Sequence, residues 1–218
     1  MPEALRALTS SDRVSVEAHA GWEFRPAGAR PIAAGLVLYP GAHVDPRAYA
    51  PAARALAEAG WFVALPAMPL GLAFLDLSAA DRVRTRHPDV AAWAVGGHSL
   101  GGVAAARYAA GRPQRVSGLV LWAAYPDPGI DLSRASLAGL TVFATRDGRT
   151  RPEDVAKSAH RLPAGTRQVA IAGGNHAQFG WYGDQEGDLP ATISREEQQR
   201  QVIAATAAFL SSLSASKP

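Results

Sequence analysis

Short uninterrupted apolar runs alternate along this chain with longer segments whose apolar residues recur every three or four positions. The first pattern predicts strands covered on both faces and the second predicts amphipathic helices. Val14-Ser15-Val16-Glu17 and Trp22-Glu23-Phe24-Arg25 alternate apolar with polar residues, which predicts two antiparallel edge strands. Turn residues follow in Ala27-Gly28-Ala29-Arg30-Pro31. Six buried strands are then expected at Gly35–Tyr39, Trp61–Leu65, Ala91–Val95, Gly118–Ala123, Leu140–Ala144 and Gln168–Ile171.

The intervening segments carry helix signals. Asp45-Pro46 reads as an N-cap with proline in the first turn of a helix from Arg47 to Ala59, stopped by Gly60. Ser78–Asp81 can cap a helix running towards Arg86, with Pro88 beyond its end, and Val103–Ala110 forms another helix ended by Gly111. Thr150-Arg151-Pro152-Glu153 and Ser194-Arg195-Glu196-Glu197 have capping-box spacing and open helices to about Arg161 and about Leu210. Such alternation predicts an α/β fold with a mostly parallel central sheet and helices on both faces. No linker, internal repeat or low-complexity block divides it. One domain is expected over residues 1–218, with a core of about 12–212 and a frayed tail at 213–218.

Composition narrows the class. Of 218 residues, 48% are hydrophobic and 19% charged, which favours a packed globular protein over a disordered one. The net charge is +3, lysine occurs only at Lys157 and Lys217, and the arginines are scattered, so a nucleic-acid partner is not expected. With no cysteine, disulfides, thiolate metal sites and a cysteine nucleophile are excluded. Neither a signal peptide nor a membrane span is legible, so a cytoplasmic protein with no membrane partner is expected.

The chemistry gathers where strands end. Gly97-His98-Ser99-Leu100-Gly101 follows the third buried strand and reads as a serine held on a tight strand-to-helix turn, where only small neighbours fit. A serine hydroxyl needs a base within reach and an acid to orient that base. Asp147 follows the fifth buried strand in Thr145-Arg146-Asp147-Gly148, and His176 follows the sixth in Gly173-Gly174-Asn175-His176. In open α/β sheets ligands bind at the carboxyl ends of the strands, where these residues fall. The rival acids are Asp127, Asp131 and Asp154. Of the other histidines, His98 would point away from the serine across the turn, His43 lies in a loop able to contact a leaving group, and His19, His87 and His160 lie in surface-like segments.

These residues resemble the α/β-hydrolase superfamily, and more closely its small hydrolases similar to dienelactone hydrolase, from about Gly35 to Leu210. The resemblance is carried by Tyr39-Pro40-Gly41 with Asp45-Pro46-Arg47-Ala48-Tyr49, by the Ser99 turn, by Thr145–Gly148 and by Gly173–Gly180. Dienelactone hydrolase uses a cysteine where this chain has Ser99. The resemblance implies an α/β-hydrolase fold and an oxyanion hole made by the backbone N–H groups of Leu100 and Ala42. It also implies a carboxylesterase acting through an acyl-enzyme on small to medium acyl groups, without metal or cofactor. Alternatives are an acyltransferase or perhydrolase with the same triad, or a non-catalytic ligand-binding protein of this fold. Only Ala124–Gly139 separates the fourth and fifth buried strands, too little for a large cap domain. The expected walls of the substrate pocket are therefore Met68, Leu70, Phe74, Trp122, Tyr125, Phe179 and Trp181. The partner expected is a small-molecule ester; monomer and homodimer stay open.

Overall fold

A computed structural model describes residues 2–28 and 31–215. Its centre is an eight-stranded sheet: β1 (Val14–His19), β2 (Gly21–Pro26), β3 (Ile32–Tyr39), β4 (Phe62–Pro66), β5 (Val90–His98), β6 (Gly118–Trp122), β7 (Ala138–Ala144) and β8 (Arg167–Ile171). The order across the sheet is β1-β2-β4-β3-β5-β6-β7-β8. β1 and β2 are antiparallel, β2 joins β4 antiparallel, and every other pairing is parallel. All eight strands are legible in the sequence, β1 and β2 by their alternation and the other six as apolar runs. The fold is that of an α/β hydrolase without a large cap.

The parallel strands are buried on both faces because helices cover each. Leu36 and Leu38 of β3 point into one core layer with Leu56, Val120, Trp122 and Phe209, while Val37 and Tyr39 point into the other with Val83, Val95, Ala105 and Leu121. This two-residue alternation places helices α2 (Ala50–Glu58) and α6 (Arg195–Ala215) on the first face, and α3 (Ala79–Arg86) and α4 (Leu100–Gly111) on the second. A short α1 (Pro2–Arg6), not foreseen from the sequence, leads into Ala7, which joins the first layer. The remaining helix is α5 (Pro152–Ser158).

Several sequence expectations need correction. The segment after Asp45 begins as a 3-10 turn over Pro46–Tyr49, with the Asp45 carboxylate accepting from the Arg47 N–H at 2.9 Å, before α2 starts at Ala50. Thr150 does not cap α5: the N-cap position is Arg151, and the Thr150 N–H is bonded to the Asp147 carboxylate. Ser78 makes no side-chain cap on α3, whereas Ser194 does cap α6, accepting from the Glu197 N–H at 3.1 Å. The last helix continues to Ala215 rather than fraying from 213, because Leu210 and Leu213 are buried against the sheet. Residues 216–218, and Ala29 and Arg30 of the expected turn, lie outside the described residues.

One contact between layers decides where the site can form. A Cβ on Gly101, in the first turn of α4, would overlap the carbonyl oxygens of Tyr39 and Pro40 at the end of β3. A Cβ on Gly111, at the far end of the same helix, would meet nothing. Gly101→Ala is therefore expected to lower the unfolding free energy by about 3 kcal/mol through overpacking against fixed backbone. Gly111→Ala should raise it by about 0.5 kcal/mol through reduced freedom of the unfolded chain. Denaturant titration of the two variants checks this, and equal effects would contradict it.

Candidate active site

Ser99 occupies the single residue between β5 and α4. Its backbone is at φ 52 and ψ −125, a region that non-glycine residues rarely enter. Strain of this kind persists only where surrounding contacts enforce it. Here the Ser99 N–H donates to the Trp122 carbonyl at 3.0 Å, and the Ser99 carbonyl accepts from Gly102 at 2.9 Å. Glycine is required on both sides: a Cβ on Gly97 would run into the Gly101 backbone, and one on Gly102 into Ala124. The serine side is half-buried, at the carboxyl end of the sheet.

Asp147 and His176 meet there from β7 and β8. Both are buried, at 2% and 0% exposure, and Asp147 Oδ2 lies 2.8 Å from His176 Nδ1. The other carboxylate oxygen accepts the Arg149 and Thr150 N–H groups at 2.8 and 2.6 Å, which holds the carboxylate in one orientation. With Nδ1–H donating to the carboxylate, Nε2 of His176 is left as the acceptor. Nε2 is buried and has no hydrogen-bond partner among the described residues. Ser99 is thus not bonded to it in this structure; such bonds are often long before a substrate arrives.

His98 is placed differently from the sequence expectation. It is buried, with its ring centroid 4.6 Å from that of His176, and it stacks on Phe179 at 5.5 Å and 19°. The buried Tyr49 hydroxyl lies 2.9 Å from His98 Nδ1 and accepts the Gly41 N–H at 3.1 Å. One hydrogen bond thus joins the two side chains. Burial pushes the pKa of His98 well below the ordinary histidine value, and the neighbouring His176 ring pushes in the same direction. His98 Nε2 has no partner at hydrogen-bond geometry, although the His176 backbone lies close enough to offset part of the shift. Tyr49 is likewise pushed up by burial and stays protonated.

A cavity of about 650 Å³ opens on Ser99, and its wall includes Ala42, Leu100, Phe74 and Tyr125. The cavity thus brings Ala42 and Leu100 together with Phe74 and Tyr125. The other expected wall residues do not line it. Trp122 is fully buried in the first core layer and donates its indole N–H to Thr206 at 3.2 Å. Phe179 is consumed by stacking on His98. Trp181 docks by its N–H on the Ala48 carbonyl, with Arg195 over its ring. Met68 and Leu70 line a neighbouring cleft of about 530 Å³ together with His43, because the turn at Met68–Gly71 hydrogen-bonds to the His43 backbone. A wall of short loops puts aromatic side chains into the core and leaves charge at the mouth: Arg107 paired with Asp127, and Arg149.

The rival residues have other partners, although Asp127 lies on the same cavity wall as Ser99. Asp127 holds Arg107, and Asp131 accepts the Ser133 N–H. His19 and His87 face Glu23, and His160 contacts the Lys157 carbonyl. Sequence reasoning missed Tyr49, the inward face of His98, and Asp188, whose carboxylate collects backbone N–H groups from both the Asp147 and the His176 turns. Only the Asp45–Tyr49 motif hinted at the first; nothing local marked the last. Among the described residues no group of three or more His, Cys, Asp or Glu side chains is arranged to hold a metal ion, and no helix is long and apolar enough to cross a membrane.

An eight-stranded, mostly parallel sheet with a strained serine after β5 and a hydrogen-bonded aspartate and histidine after β7 and β8 defines the α/β-hydrolase class. A model of the alpha/beta hydrolase family matches residues 35–200, and the chain belongs to that family. A search of curated proteins finds no match.

The state of His98 carries a pH signature. An unfolded histidine titrates near pH 6.5, and the folded His98 far below it. Between those values the unfolded chain binds a proton that the folded protein refuses, so this contribution is complete above about pH 6.5 and is lost as pH falls. His98→Gln, which keeps a polar partner for Tyr49, should flatten the decline by up to about 1.4 kcal/mol per pH unit. Denaturant unfolding from pH 7 to 5 measures it, and parallel curves for the two proteins would refute it.

Proposed function

We propose that this chain is a single-domain serine hydrolase that cleaves carboxylic esters of small to medium acyl groups. The observation that carries the reading is the 2.8 Å Asp147–His176 hydrogen bond, which leaves a buried, unpartnered Nε2 at the strand ends where Ser99 is strained outwards. Within the family the reading is closest to the small hydrolases similar to dienelactone hydrolase, with serine as nucleophile.

In the proposed reaction Ser99 Oγ attacks the acyl carbonyl while His176 Nε2 takes the hydroxyl proton. Asp147 holds the ring in the required tautomer and stabilises the imidazolium. The tetrahedral oxyanion is met by the N–H groups of Leu100 and Ala42, both on the cavity wall. As the intermediate collapses, the C–O bond to the alcohol breaks and His176 returns its proton to the departing oxygen. Water then attacks the acyl-enzyme, His176 takes its proton, and the acid leaves with Ser99 regenerated. The cavity volume falls in the range of small-molecule sites.

Fluorophosphonate labelling and turnover of short-chain p-nitrophenyl esters test the reading. Ser99→Ala is expected to abolish both. Asp147→Asn should fold normally and lower kcat by roughly 10⁴-fold, because the histidine loses its tautomeric control. Turnover that survives Ser99→Ala, or a wild-type protein that neither labels nor turns over, would refute it. Acyl transfer to an added alcohol in preference to water would assign the same residues to an acyltransferase.

A further inference from the structure

The acid and the base of the proposed triad sit on two separate turns, after β7 and after β8, joined directly by the Thr145 N–H to the Ile171 carbonyl at 3.0 Å and the Arg146 N–H to the Gly174 carbonyl at 2.9 Å. A third segment bridges them. Residues 184–193 leave the His176 turn, cross the Asp147 turn and return to start α6. On the Asp147 side, Arg146 donates to the Pro190 carbonyl at 2.5 Å and Arg149 to the Glu186 carbonyl at 2.6 Å. On the His176 side, Asn175 donates to the Leu189 carbonyl at 2.9 Å, and the Thr192 N–H donates to Gly173 at 2.7 Å.

One side chain in this strap binds both turns at once. Asp188 Oδ1 accepts the N–H groups of Gly148 at 3.1 Å, His176 at 3.2 Å and Leu189 at 3.0 Å, and Oδ2 accepts the Ala177 N–H at 2.9 Å. Gly148 directly follows the acid, and His176 is the base itself. A carboxylate is the side chain suited to this task, since it carries only acceptors and forms charge-assisted bonds to backbone N–H groups. Close approach is built in as well: a Cβ on Gly148 would overlap the Gly187 carbonyl of the strap.

We infer that Asp188 is a positioning residue of this hydrolase: by clamping the backbone beside Asp147 to the backbone of His176, it sets the distance between acid and base. The inference rests on the reading of these two residues as the triad's acid and base. Asp188 touches no reacting atom. Its removal leaves the direct backbone bonds at Thr145 and Arg146 but loosens the two turns beyond them, at Gly148 and His176, and a displacement of about 1 Å in such a site costs on the order of a hundredfold in rate.

The test compares Asp188→Ala, Asp188→Asn and, as a charge control on the same segment, Asp184→Asn. Two readouts are used: kcat and KM for a short-chain p-nitrophenyl ester, and the low-field proton resonance of His176 Nδ1–H, identified by its loss in His176→Gln. Asp188→Ala is expected to lower kcat about a hundredfold with KM changed less than threefold, and to broaden or shift the low-field proton. Asp188→Asn, which keeps one acceptor oxygen, should fall between Asp188→Ala and wild type in both readouts. Asp184→Asn should match wild type. A kcat for Asp188→Ala within threefold of wild type, or an unaltered low-field proton, overturns the inference. If Asp188→Ala does not fold, Asp188→Asn decides: an intermediate loss supports the clamp and wild-type behaviour overturns it. A wild-type protein without esterase turnover would overturn the proposed function alone, and the resonance would then decide on Asp188.

Discussion

The structure depends on how closely α4 can approach the end of β3. Gly101 brings the helix against the Tyr39 and Pro40 carbonyls at a distance that no side chain permits, and Gly97 and Gly102 close the same turn from either side. Once the helix is seated there, the single residue between β5 and α4 has no normal conformation open to it. Ser99 is forced to positive φ and is half-buried. Strain at the serine is thus sustained by packing between layers, which is why three glycines cluster around one chemical group.

The same approach links the loop after β3 to His176. Gly41 continues from β3, its N–H is held by Tyr49, and Tyr49 holds His98, which backs His176. All of these groups except Gly41 are side chains buried in the core, so the loop that would receive the oxyanion and the ring that would move the proton share one support. His98 serves this role because it is kept neutral; a charged imidazole in that place would repel the imidazolium that the proposed reaction forms at His176.

The fold was largely legible because each parallel strand is a continuous apolar run set off by glycine, proline or a cap, as at Gly35–Tyr39 and Gly118–Trp122. The residues at strand ends were legible for the same reason: once β5, β7 and β8 are placed, Ser99, Asp147 and His176 fall at their carboxyl ends. Aromatic residues were not. Trp122 ends β6 and Phe179 follows His176 by three residues, yet both are turned into the core, because the period of two along a strand and the direction of a 3-10 turn decide facing, and composition cannot show it. The roles of Tyr49 and Asp188 were hidden for a further reason. Their partners, His98 and Gly148, are far away in sequence, and only the folded chain brings them together.

The order of these parts along the chain bears on truncation. The serine turn is complete in sequence terms once β3, β5 and α4 exist, but its activating groups come later, and the His176 turn is itself held by Gln198 of α6, bonded to both the N–H and the carbonyl of Asn175. In the proposed reaction, a chain that has lost its final helix would therefore hold a serine of ordinary alcohol reactivity, because the turn that carries His176 would lose its support.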